Sequence, residues 1–273
     1  SHLSRRGEPR RRQTLNFLGR TFIFSRFQRT YLLRSFQKSP DIDTSSSGSK
    51  SKSSPPHNKM GNGHAAPAQE WDMNIAMPSN TAATMSSKVT VGAGCYWGTE
   101  KYIKKDWKGG KIIRGAVGFM GPEGSVKNPS YEAVCTGATG HVEVYDCDYD
   151  VIDDAPKDVT YESLIKHFFM FHDPTTLNRQ GNDAGTQYAS VIFCHDNVQL
   201  EIATRVKEEL QALVDAGKVK YSGPTVSTAV VPATTFYPAE AYHQAYLENN
   251  PGGYCNHRMR FKAWPSALPP PDL

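Results

Sequence analysis

Hydrophobic and polar positions are unevenly patterned along the 273-residue chain, and regular periodicity begins only near Lys88. The β-branched run Val89-Thr90-Val91 predicts a strand that leads through Gly94-Cys95 into a helix start. From Gly140 to Tyr149, Val142 and Val144 alternate with Glu143 and Tyr145, the period-2 signature of a strand. Thr160 to Phe171 opens on a capping residue and sets Leu164, Ile165, Phe168 and Phe169 on one face, which predicts a helix. Ser190 to Cys194 reads as a short apolar strand. Asn197 starts a longer helix with the stripe Leu200, Ile202, Ala203, Val206, Leu210 and Leu213, ending near Gly217. Thr225 to Val231 reads as a strand, and Ala239 to Glu248 as a helix stopped by Pro251. Mixed strands and helices over about 175 residues, enough for one core, predict an α/β or α+β domain around a central sheet.

The region before Lys88 has a different texture. Asp41 to Lys88 is dominated by Ser, Pro, Gly, Ala and Asn, too little apolar surface to offset ordering entropy, and is read as a disordered linker. Residues 1–40 carry nine Arg and one Lys against the single acid Glu8, a net +9. Since the whole chain carries +4, the remainder sums to −5, and the basic pI of about 8.7 belongs to the tail. The folded part is therefore not read as a nucleic-acid binder. Arg-rich, acid-poor sequence with Phe17, Leu18, Phe22, Ile23 and Phe24 among its cations fits a mitochondrial presequence or an unstructured basic extension. Initiation at Met60, Met73, Met77 or Met85 would instead leave a cytosolic product, so cytoplasmic and mitochondrial addresses are both expectations. No apolar run approaches the roughly 20 residues that span a bilayer, and a monomer is the default. The expected organisation is a basic tail (1–40), a linker (41–87), a catalytic domain (88–264) whose segment 250–264 is mobile, and a Pro-rich end (265–273).

Five cysteines stand at positions 95, 135, 147, 194 and 255, with no C-x-x-C pair and no zinc-like grouping with histidine. No metal or bound cofactor is expected, and the odd count points to a reducing compartment. Cys135, Cys147 and Cys194 lie in apolar or strand-like runs and read as packing. Cys95 is the candidate nucleophile, because free N–H groups and the helix macrodipole at a helix start favour thiolate. Tyr96 and Trp97 beside it suggest an apolar pocket for a small group. Cys255 follows Pro251-Gly252-Gly253 in a segment flexible enough to approach a second sulfur.

Two further stretches carry polar chemistry. Thr136-Gly137-Ala138-Thr139-Gly140-His141 feeds the strand bearing Glu143, which faces away from Val142 and Val144; desolvated in a cleft, such a carboxyl would donate a proton near neutral pH, whereas on the surface it would be a solvated anion. The long loop from Phe171 to Tyr188 offers Asp183 and Tyr188 as hydrogen-bonding groups, with Asp173 and Asn178 as turn residues.

Four segments, GCYWGTE from Gly94, YEAVCTGATGHVEV from Tyr131, HDPTTLNRQGNDAGTQYASVIF from His172 and FYPAEAYHQAYL from Phe236, together resemble the A class of peptide methionine sulfoxide reductases. The resemblance runs from Lys88 to Phe261. It implies a two-layer α+β sandwich of ferredoxin-like kind with a central mixed sheet and long loops. It further implies Cys95 as nucleophile, Tyr96 and Trp97 as the wall for the substrate methyl group, and Glu143 as the acid. Tyr131 and Tyr188 become hydroxyl donors to the sulfoxide oxygen, Asp183 a supporting polar group, and Cys255 the resolving cysteine. Free and protein-bound methionine sulfoxide of the S epimer would be reduced through a Cys95 sulfenic acid and a Cys95–Cys255 disulfide, with thioredoxin or another dithiol as external reductant. Departures from the family pattern are Tyr96 where Phe is usual, Ala189 where Arg is frequent, and a longer Gly118 to Pro129 segment. Two other readings fit the same residues: a cysteine hydrolase using His141, His172 or His243 as base, and a non-enzymatic redox-sensing domain.

Overall fold

A computed structural model describes Trp71 and residues 85–265. The basic tail, the Pro-rich end beyond residue 265 and, apart from Trp71 and residues 85–87, the linker lie outside the described residues. Those exceptions pack: Met85 lies against the core, Ser86 N–H donates to Asp196 at 2.7 Å, and the Ser87 carbonyl accepts from Tyr149 N–H at 2.9 Å.

The chain begins with the path β1 (Lys88–Ala93), α1 (Tyr96–Lys101), β2 (Lys111–Met120), α2 (Tyr131–Cys135), β3 (Val142–Asp150), α3 (Lys157–Phe171). It continues through the two-residue hairpin β4 (Arg179–Gln180) and β5 (Asp183–Ala184) to β6 (Ser190–Cys194), α4 (Asn197–Asp215), β7 (Ala229–Pro232), β8 (Tyr237–Pro238) and α5 (Tyr246–Asn249). A six-stranded sheet runs β7-β6-β1-β3-β2-β8, antiparallel except for the β6–β7 pair. Strands β1, β2, β3 and β6 with α1 and α3 trace the β-α-β-β-α-β ferredoxin-like path, and β7 makes the sheet mixed.

One sheet face packs Val89, Val91, Phe119, Tyr145, Cys147 and Ile192 against the helices, where Leu164, Phe168, Val206 and Leu210 are completely buried. The other face gathers Met120, Val142, Val144, Val191, Phe193 and Val231, with the Trp71 indole edge-on to Phe193 at 5.4 Å between centroids. Both sides of β3 are therefore covered, and Glu143 shares the helix-covered side with Tyr145.

Strands β1 and β3 and helix α4 match their sequence patterns, and β6 spans the expected five residues. Helix α3 begins a turn earlier than Thr160: Pro156 takes the cap position, Asp158 the first turn, and the buried Thr160 hydroxyl donates back to Pro156 O at 3.1 Å. Strand β7 is shorter than Thr225 to Val231, because the Thr228 side chain is drawn to Ser190 (2.7 Å) ahead of the paired stretch. The helix expected over Ala239 to Glu248 is broken into a 3₁₀ turn, Ala241–His243, and α5. The interruption has a cause: Gln244 reaches out to β2, accepting from Val117 N–H and donating to Val117 O, both at 2.9 Å, and Ala245 turns left-handed at φ +50°.

Candidate active site

Gly94 and Cys95 form the junction between β1 and α1. Gly94 has φ +91°, and a side chain there would collide with Gln180 of β4, so the turn that presents Cys95 needs glycine. Cys95 is the N-terminal boundary residue of α1, its carbonyl accepting from Gly98 and Thr99 N–H groups, and its free thiol is buried. The helix start does act on it: the Trp97 N–H favours the thiolate. Burial and the neighbouring Glu143 act more strongly in the opposite direction and push the thiol well above its ordinary value. The helix start favours thiolate, as the sequence suggests, and burial with Glu143 opposes it more strongly.

Glu143 lies opposite Phe119 in the β2–β3 register and is 1% exposed. Its carboxylate accepts from the Tyr96 N–H at 3.0 Å, tying the acid to the residue after Cys95. Burial, with a smaller contribution from Asp183, lifts its pKa to about 8 against the opposing backbone bond. The half-buried Tyr131 starts α2, and the half-buried Tyr188 ends the 3₁₀ turn Thr186–Tyr188. Both phenols are pushed far up, first by burial and then by Glu143, and both also respond to Cys95. Two hydroxyls therefore remain donors beside the carboxyl and the thiol.

The aromatic wall contains more than Tyr96 and Trp97. Trp97 stacks on Tyr246 at 3.7 Å between centroids, Tyr96 lies 5.9 Å from Phe119, and the His243 ring sits 4.6 Å from Tyr131 and 5.4 Å from Tyr96. Cys135, read from sequence as packing, stands beside Tyr131 with its thiol pushed to about 11, whereas Cys147 and Cys194 are core residues. Tyr246 and His243 belong to the FYPAEAYHQAYL segment, whose aromatic spacing was the available signal.

Asp183 and Cys255 meet through the C-terminal segment. Tyr254 OH and Asn256 Nδ2 donate to the two Asp183 carboxylate oxygens at 2.9 and 3.0 Å. Two residues on, His257 Nε2 donates to Ala93 O at 2.7 Å and its ring covers Gly98 so closely that a Cβ there would clash. Backbone N–H groups of Arg258 and Arg260 bond to Phe171 O (3.2 Å) and Met170 O (2.7 Å). In this structure the segment after Cys255 is bonded to both β1 and α3. Cys255, half-buried, lies near enough that charge on it would further raise Cys95.

Two of the three histidines of the hydrolase reading, His172 and His141, are engaged by backbone carbonyls. His172 donates to Phe168 O at 2.7 Å, lies 2.8 Å from Ser190 Oγ, and is pushed by burial to about 3; His141 bonds to Thr139 O at 3.1 Å. Among the described residues, no group of three or more His, Cys, Asp or Glu side chains is placed to hold a metal, and no helix is long and apolar enough to cross a membrane.

A buried thiol, a buried carboxyl lifted to about 8 and two phenols thus line an aromatic pocket on a ferredoxin-like scaffold. Residues 87–266 match the model of the peptide methionine sulfoxide reductase family, and the chain belongs to that family. It is 45% identical over 168 residues to peptide methionine sulfoxide reductase MsrA of Methanothermobacter thermautotrophicus, covering 62% of this chain and 90% of that protein. Its identity to the MsrA of Methanoculleus marisnigri is 46%, over 62% of this chain and 93% of the relative. Among solved structures, the reduced form of Mxr1 from Saccharomyces cerevisiae matches with a TM-score of 0.54 and 36% identity, covering 68% of this chain and all of that one. The chain is an oxidoreductase of the A class.

Proposed function

We propose that this enzyme reduces the S epimer of methionine sulfoxide, free or within oxidised proteins, to methionine, with Cys95 as nucleophile and Glu143 as proton donor. The observation that carries the reading is Glu143: buried, lifted to about 8, and bonded to the Tyr96 N–H beside the Cys95 thiol. A sulfoxide sulfur is a weak electrophile, so attack requires a proton on its oxygen. Glu143 supplies that proton, Tyr131 and Tyr188 hold the oxygen, and Trp97 with Tyr246 provides an apolar face for the methyl group. As Cys95 Sγ bonds to the substrate sulfur it gives up its own proton, which returns to Glu143. The protonated oxygen then passes from the substrate sulfur to Cys95 Sγ: its bond to the substrate breaks as the Sγ–O bond forms, and the transient Sγ–S bond breaks to release the thioether. Sulfoxide plus thiol has become thioether plus sulfenic acid.

Sulfenic acid condenses with a thiol to a disulfide and water. In this proposal Cys255 is that thiol, supported by the placement of its neighbours Tyr254, Asn256 and His257 against Asp183 and Ala93. Thioredoxin or another dithiol protein then restores both thiols by exchange. Incubation with racemic methionine sulfoxide and dithiothreitol, followed by chiral separation, should show loss of the S epimer alone, and none with Cys95→Ser. Consumption of neither epimer by protein whose Cys95 titrates as a free thiol would overturn the reading. Whether residues 1–40 direct import is answered by the mature N-terminus, measured by mass spectrometry in mitochondrial and cytosolic fractions.

A further inference from the structure

Tyr96 carries a hydroxyl that the wall of an apolar pocket does not need. The residue is 1% exposed, and its Oη is buried with no hydrogen-bond partner among the described residues. Leaving such a group unpaired costs about 1–3 kcal/mol, while phenylalanine would fill nearly the same volume at no such cost. Its ring neighbours are Phe119, Trp97 and His243, at 5.9, 6.3 and 5.4 Å between centroids. Electrostatically the hydroxyl belongs to the reacting cluster: after burial, the groups acting on it are Glu143, Tyr131 and Cys95, in that order, with Glu240 farther out. Those same three act on Tyr188. The Tyr96 backbone, by donating its N–H to Glu143, fixes where the side chain starts.

We propose that the Tyr96 hydroxyl is a third phenolic donor to the substrate, bonding the sulfoxide oxygen alongside Tyr131 and Tyr188, and that it makes the pocket discriminate sulfoxide from thioether. A sulfoxide oxygen is a strong acceptor and a thioether sulfur a weak one. A buried donor left waiting in the free enzyme is satisfied by the first and stranded by the second. Bound substrate is thereby favoured over product, and methionine is released as the oxygen departs. The inference rests on the sulfoxide-reducing reading above.

Binding measured in the inactive Cys95→Ser background tests it without turnover. N-acetyl-methionine sulfoxide amide and the corresponding thioether are titrated against Cys95→Ser and Cys95→Ser/Tyr96→Phe, followed by Trp97 fluorescence. Loss of one neutral hydrogen bond predicts about 3- to 10-fold weaker sulfoxide binding. Thioether binding should stay within about twofold, and the Tm should be equal or higher, since no protein–protein bond is lost. Sulfoxide affinity unchanged by Tyr96→Phe would overturn the proposal, and so would equal weakening for both ligands, which would assign Tyr96 a purely steric role. If Cys95→Ser binds the sulfoxide but the wild-type protein never converts it, the catalytic reading fails while the hydroxyl's binding role stands.

Discussion

Two carboxyls, Asp173 and Glu143, are buried to nearly the same degree, and the protein treats them in contrary ways. Asp173, 2% exposed, accepts from the Thr175 N–H (3.1 Å) and hydroxyl (2.5 Å) and from the Ser222 N–H (3.0 Å) and hydroxyl (2.6 Å), with Arg260 Nη1 at 3.7 Å. Those donors outweigh burial and hold it below the ordinary carboxylate range. Glu143, 1% exposed, is bonded by one backbone N–H and faces a second acid, Asp183, so burial wins and it rises to about 8. Donor count, not depth, decides whether a buried carboxyl is a structural anion or a reagent. The Asp173 cluster ties the α3 end to the Ser222 loop and the C-terminal segment, whereas Glu143, with one backbone donor, is lifted to about 8.

Removing each acid separates the two roles. Glu143→Gln should lower the single-turnover rate of sulfoxide reduction by roughly 10²- to 10⁴-fold, as expected for loss of a general acid; an unchanged rate would strip Glu143 of that role. Asp173→Asn should leave the chemical step within a few-fold while costing about 2 to 4 kcal/mol in urea unfolding, because it swaps a satisfied anion for an amide whose N–H₂ faces other donors.

The pH dependences should oppose one another. Folded Glu143 holds its proton up to about 8, whereas unfolded chain releases it near 4.5. Its contribution to stability is therefore complete below about 4.5 and is lost as pH rises toward 8. Glu143→Gln should match wild type in Tm at pH 5 and exceed it at pH 9, and the wild-type turnover rate should decline on an alkaline limb near 8 that the variant lacks. For Asp173 the sign reverses: its lowered value contributes stability above the ordinary carboxylate range, and that contribution is lost on acidification. A Tm difference for Glu143→Gln that is independent of pH would break the contrast. The smallest effect is expected away from both acids: Trp71→Ala, losing one edge-on contact with Phe193, should cost about 1 kcal/mol with reduction rates unchanged.

Legibility in the sequence followed the range of the interactions. Strand β6 and helix α4 were readable because periodicity and the boundary at Asn197 are local. The break at Gln244 and Ala245 was not, since the Gln244 partner is Val117, 127 positions away. In the site, Cys95 stood out from its strand-to-helix junction, and Glu143 from alternation in β3. Asp183, Tyr131, Tyr188 and Cys255 gained candidate roles only from four motifs taken together. The balance acting on the Cys95 thiol is not local either: the helix start is written in the sequence, whereas the burial and the Glu143 charge that outweigh it come from distant positions. Likewise, Pro251-Gly252-Gly253 announces a free backbone, whereas the bonds from Asn256 to Asp183 and from His257 to Ala93 join residues 73 and 164 positions apart.

The Gln244 side chain has a consequence for the company the protein keeps. Its carboxamide presents to Val117 one acceptor and one donor, the same pair a neighbouring strand residue would offer, and Ala239 N–H adds a bond to Val117 O at 3.0 Å. With β8 pairing to Gly118 and Phe119, the apolar half of β2 has its outer backbone occupied; the half left open carries Lys111 and Arg114. The far edge, β7, is four residues long and ends in Pro232. Among the described residues, then, one open rim is charged and the other is short and closed by proline, two features that discourage an extended chain from adding itself and seeding aggregates.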